Sequence, residues 1–104
     1  MTKEDIQTIA CDVIEAHNFI MDGTWKRDEA IKYCDLMCKH TAELEADITT
    51  IELDIHKKHK DDEKVSVAKI KQETKLATIE ERKLMRISKG HYSTLKNIVY
   101  NVLK

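Results

Sequence analysis

Proline is missing from this chain, and glycine occurs only twice, at Gly23 and Gly90. A helix, once begun, therefore meets almost nothing that would stop it. Aromatic residues are 5% of the total, and that scarcity argues against a compact sandwich or an α/β fold. No apolar run approaches the ~20 residues of a membrane span, and the first residues lack the basic-then-apolar order of a signal peptide. No membrane contact is expected. Three cysteines, Cys11, Cys34 and Cys38, without an export signal suggest reduced thiols and a cytoplasmic setting.

What is present is charge, at 36% of 104 residues, laid over helical apolar periodicity. One small helical domain spanning 1–104 is expected. Helix 1 should run over about 3–21, capped by Thr2 with Glu4 and Asp5 in its first turn. Ile6, Ile9, Val13, His17 and Ile20 fall on one face, and Asp22-Gly23 ends it. Helix 2, about 25–60 with Thr24 as its cap, carries a seven-residue repeat: Ala30, Cys34, Met37, Thr41, Leu44, Ile48, Ile51, Ile55. That is a coiled-coil seam rather than a broad globular stripe. Helix 3, about 64–103, continues with Val67, Ile70, Thr74, Ala77, Glu81, Leu84, Ser88, His91, Leu95, Ile98 and Val102, with Gly90 as the place where a kink would cost least.

Between helices 2 and 3 the chain reads His56-Lys57-Lys58-His59-Lys60-Asp61-Asp62-Glu63. Cations suit a helix C-terminus and anions an N-terminus, so the run marks one helix ending as the next begins. The expected fold is all-α: three helices, with a long antiparallel coiled-coil-like hairpin and a short N-terminal helix. Folding about Lys60/Asp61 sets Met37 against Leu84 and Thr41 against Glu81, and such polar layers fix register. The competing arrangement is one continuous helix from Thr24 to Gly90, about 100 Å long at ~1.5 Å per residue, which would have to dimerise.

Charge is unevenly divided. Residues 1–63 hold 8 Lys/Arg and 16 Asp/Glu, and residues 64–104 hold 10 and 3. The two halves can neutralise one another, or the basic half can meet nucleic acid or an acidic partner. Lys57, Lys58, Lys60 and Lys64 cluster at the expected tip, and Lys69, Lys71, Lys75, Arg82, Lys83, Arg86 and Lys89 follow along helix 3. Such a stripe can track a phosphate backbone by charge alone. Beyond His91, Leu95, Ile98, Val99 and Val102 form surplus apolar surface that predicts a homo-oligomer.

Cys34 and Cys38 lie four residues apart with His40 close by, and Cys11 and His17 could approach from helix 1 to complete a zinc site. The spacing is not a CxxC knuckle, and both thiols of helix 2 sit where a small buried apolar residue is wanted. No cofactor is therefore expected, with zinc as the alternative. A Cys38/His17 nucleophile pair lacks a glycine-rich oxyanion turn, so no catalytic residues are expected.

The string Tyr33-Cys34-Asp35-Leu36-Met37-Cys38-Lys39-His40-Thr41 resembles a segment of the phage recombination-mediator proteins of the UvsY type, in which a Tyr and two apolar residues precede Lys-His-Ser/Thr. Glu80-Glu81, Leu84, Ile87, Tyr92 and Leu95 match their C-terminal helix in rhythm, whereas the tyrosine-glycine turn at the tip is absent. The resemblance implies a non-enzymatic oligomer that binds single-stranded DNA and loads a recombinase, with the tip lysines on the DNA. The alternative is a small inhibitor or adaptor of anti-defence type that lays a helical face on a larger protein partner.

Overall fold

The computed structural model describes residues 1–62 and 64–103. It is all-α, with no strand among the described residues, and measures 57 × 26 × 17 Å. Helix α1 (Lys3–Asp22) begins with a full capping box. The Asp5 backbone N–H donates to the Thr2 hydroxyl, and the Thr2 N–H donates back to the Asp5 carboxylate at 3.0 Å. The bond from the Thr2 backbone N–H, and then the Thr2 side chain, hold the Asp5 carboxyl below the usual range. Gly23, at φ 75°, ends α1 in the left-handed region that glycine enters without strain.

Helix α2 (Arg27–Lys58) starts two residues later than its expected bound. Lys26 is its N-cap, and Thr24 bonds to the Asp22 carboxylate instead of capping. The Trp25 indole N–H donates to the Ile20 carbonyl at 3.2 Å, folding the connection back onto α1. Asp28 and Glu29 occupy the first turn of α2, and His56, Lys57 and Lys58 its last, as the helix dipole favours.

Helix α3 (Val67–Ala77) begins at Val67 rather than Lys64, because Ser66 supplies the cap by accepting from the Lys69 N–H. Asp62 instead accepts from the Lys64 N–H, and Glu63, expected among the acids opening this helix, lies outside the described residues. The chain then departs from expectation again. Among the described residues it has four α-helices rather than three, because the segment expected as one helix is divided at Thr78 into α3 and α4 (Ile79–Asn97), followed by a π-helical turn over Ile98–Val102. Thr78 is wholly buried, its hydroxyl donates to the Thr74 carbonyl at 2.8 Å, and its φ of −119° is off-helical. Gly90 sits inside α4 with no break.

Helix α2 packs mainly on α4, and α1 covers α4 and α2. Ile9, Val13 and Ala16 of α1, Ala30, Met37 and Leu44 of α2, and Leu84 and Leu95 of α4 form the core with Ile98. The partners of α2 are met in reverse order: Met37 with Ser88, Glu52 with Arg82, and Lys58 with Glu73. The expected register is displaced, by about one turn at Met37 and by more at Glu52 and Lys58. Ser88, not Leu84, meets Met37, donating to its carbonyl at 3.0 Å, and lies 3.1 Å from the Thr41 hydroxyl. The displacement lets the buried Ser88 hydroxyl find its acceptors. Near the far end, Val67 of the expected seam is 66% exposed.

Truncating Met37 or Leu44 to Ala should cost about 2–5 kcal/mol in urea unfolding. Leu76→Ala, at a side chain 64% exposed, should change it by less than about 0.5 kcal/mol.

Candidate functional site

The cations foreseen at the tip are exposed, as Lys57, Lys58, Lys60 and Lys64 all face solvent. They stand among exposed acids, however: Asp54, Asp61 and Asp62. Lys58 is also engaged, 3.1 Å from Glu73, whose other oxygen lies 2.6 Å from His59 Nε2. The hydrogen bonds from His59 and then Lys58 hold the Glu73 carboxyl below its ordinary range. The structure thus balances the tip charge locally.

The charge left over lies farther along, at the joint between α3 and α4. Two shallow depressions of about 410 Å³ each adjoin there and share Lys75 and Arg82. One is completed by Glu52, His56, Lys71 and Thr74. The other is completed by Ile79, Lys83, Met85 and Arg86. Spacing on α3 explains part of this, since Lys71 and Lys75 are one turn apart and share a face. The Thr78 break explains the rest. Arg82 is fixed by donating Nε to the Thr78 hydroxyl at 2.7 Å and Nη2 to Glu52 at 2.8 Å. An ion pair this exposed contributes at most about 1 kcal/mol, so its effect is to orient the guanidinium. Lys69 is exposed on the same helix as Lys71 and Lys75.

Thr74 lines the first depression, is 6% exposed, and its hydroxyl has no hydrogen-bond partner among the described residues. A buried hydroxyl left unpaired costs about 1–3 kcal/mol. Thr78 and Glu52 were not singled out by the sequence, and Thr74 was read only as a position of the helix 3 seam. The available signal was the four-residue spacing of Thr74, Thr78 and Arg82, which stacks hydroxyl, hydroxyl and guanidinium on one helical face.

The candidate zinc ligands are dispersed. Cys11 and Cys38 are exposed, and Cys34 is half-buried against the core, where burial pushes its thiol pKa up. His40 is buried, with Nε2 2.6 Å from an Asp12 oxygen, and it ties α2 to α1. Its Nδ1 lies 3.5 Å from a Glu43 oxygen without a hydrogen bond. His17 packs its ring on His91 of α4, with centroids 5.6 Å apart. Among the described residues no group of three or more His, Cys, Asp or Glu side chains is arranged to hold a metal ion.

The surface expected for self-association is corrected in part. Leu95 is 0% exposed and Ile98 3%, both being part of the buried core. Val99 is half-buried against the same core, and of the four only Val102 is exposed. No helix among the described residues is long and apolar enough to cross a membrane. Neither a scan of protein-family models nor searches of curated proteins and of solved structures give a match to this chain.

The His17–His91 contact has a pH consequence. Burial, then the neighbouring His17, lowers the His91 pKa from its ordinary 6.5. The folded state therefore binds this proton less readily than the unfolded chain. Its contribution to stability is complete well above pH 6.5 and is lost as pH falls through and below that value. Unfolding midpoints measured from pH 7.5 to 5 should decline more steeply for the native chain than for His91→Gln, and equal slopes would rule this out.

Proposed function

We propose that this chain is a non-enzymatic, nucleic-acid-associated accessory protein whose phosphate-contacting surface is the α3–α4 joint rather than the tip. The observation that carries this is the pair of adjoining depressions in which Lys71, Lys75, Arg82, Lys83 and Arg86 converge. A cationic surface of that extent recognises a polyanion through counterion release, with no need for a deep pocket. The resemblance at Tyr33–Thr41 supports a recombination-mediator-like role of phage type, acting on single-stranded DNA and a recombinase in a host cytosol. The reverse order in which α2 meets its partners supports a helical hairpin as the scaffold. Self-association would then need a surface other than Leu95 and Ile98.

A second reading is a protein-binding inhibitor or adaptor. It is favoured by one feature, the exposure of Ile79 beside the half-buried Met85 within the second depression. An apolar floor rimmed by cations also suits an acidic amphipathic segment of a partner.

Fluorescence anisotropy with a labelled oligo-dT across a salt series separates the two. Binding should weaken steeply with salt, and each phosphate contact removed should reduce the log–log slope by about 0.7. Lys75→Glu and Lys83→Glu should weaken binding more than Lys57→Glu and Lys60→Glu. Undetectable binding at low salt would remove nucleic acid as the ligand and leave a protein partner.

A further inference from the structure

We propose that the depression between the end of α2 and α3, lined by His56, Lys71, Thr74, Lys75 and Arg82, seats one phosphate group of a nucleic-acid backbone. The choice of a phosphodiester as its carrier rests on the nucleic-acid reading. The anion site itself rests on the side chains.

Its threonine is the first observation. Thr8, Thr41, Thr49, Thr50, Thr78 and Thr94 each donate their hydroxyl to the carbonyl four residues back. Thr74 alone among the described helical threonines makes no such bond, although it is more than nine-tenths buried. Buried hydroxyls take partners, and the exception belongs to a residue lining a cationic depression; its oxygen is closed to solvent, so a change of χ1 has to turn it toward a bound anion.

The arginine is the second, independent observation. Two of the five N–H groups of a guanidinium are used by Thr78 and Glu52, which hold the fork in place at the depression. An oriented guanidinium matches the paired oxygens of a phosphate, and Lys71 and Lys75 add point charges one turn apart. The Glu52 carboxylate also lines the site. It offsets one positive charge and leaves a balance of two among Lys71, Lys75 and Arg82, enough to neutralise the single negative charge of a backbone phosphodiester.

Two probes distinguish the carriers: inorganic phosphate, followed by backbone amide NMR shifts, and labelled oligo-dT, followed by anisotropy. The variants are Thr74→Val, which removes a hydroxyl with no internal partner, and Lys71→Ala, at an exposed side chain. Thr74→Val should leave thermal stability unchanged or raised while weakening both ligands, by roughly tenfold for a lost hydrogen bond to a charged group. Saturable phosphate shifts should centre on residues 71–82. If oligo-dT binds but neither variant weakens it more than Lys57→Ala does, the seat is refuted while nucleic-acid binding stands. If inorganic phosphate binds there and oligo-dT does not, the anion site stands and the backbone as its source is overturned. If Thr74→Val lowers stability and leaves both affinities intact, the hydroxyl is structural and the proposal fails.

Discussion

Ser88 is wholly buried on α4, and its hydroxyl is bonded to the Met37 carbonyl of α2 and lies beside that of Thr41. Much of the remaining structure depends on this contact. An apolar seam such as Met37, Leu44, Leu84 and Leu95 can slide by a turn with little loss, because one aliphatic layer resembles the next. A buried hydroxyl cannot slide, since it would leave its acceptors and remain unpaired. The contact therefore selects one register of α4 on α2, and the other cross-helix pairs follow from it.

One of those pairs joins Glu52 to Arg82, and it requires the C-terminal segment to adjust. A straight helix from residue 67 to residue 97 would carry one stripe throughout. The chain instead breaks at Thr78, whose hydroxyl bonds the preceding turn and receives Arg82. The break permits Thr74, Thr78 and Leu84 all to be buried, while Lys71, Lys75, Lys83 and Arg86 stay in solvent. A device that settles packing also gathers cations, and the same residue, Arg82, belongs to both. Local charge balance at the tip, through Glu73 and the exposed aspartates, leaves the joint as the more strongly cationic surface.

Much of the architecture was legible because it depends on local chemistry. Thr2 and Asp5 form the capping box that their spacing predicts, Gly23 stops α1, and the lysines after Ile55 close α2. The buried positions from Leu84 through Ile98 follow the seven-residue rhythm. Other features were not legible. Thr78 has no special backbone requirement as a residue type, and its role appears only when Arg82, held by Glu52, donates to it. Leu95 and Ile98 read as surplus apolar surface because their place in the shared core depends on how the helices pack and is not encoded in one helix alone. The cysteines and histidines offered a candidate ligand set, and their places on α1 and α2 do not bring them together around a metal ion.

The amino-acid sequence by itself determined an all-helical chain, the cap and stop of its first helix, the cations that close its second, and a basic C-terminal half opposite an acidic N-terminal one. Caps, periodicity and charge act within a few residues and so can be read in order. Only the tertiary structure decided where the positive charge goes unanswered. That depends on which lysines find carboxylates across helices, and register and the bend at Thr78 set those distances. The tip, crowded with lysines in sequence, is balanced in space, and the less conspicuous joint is not.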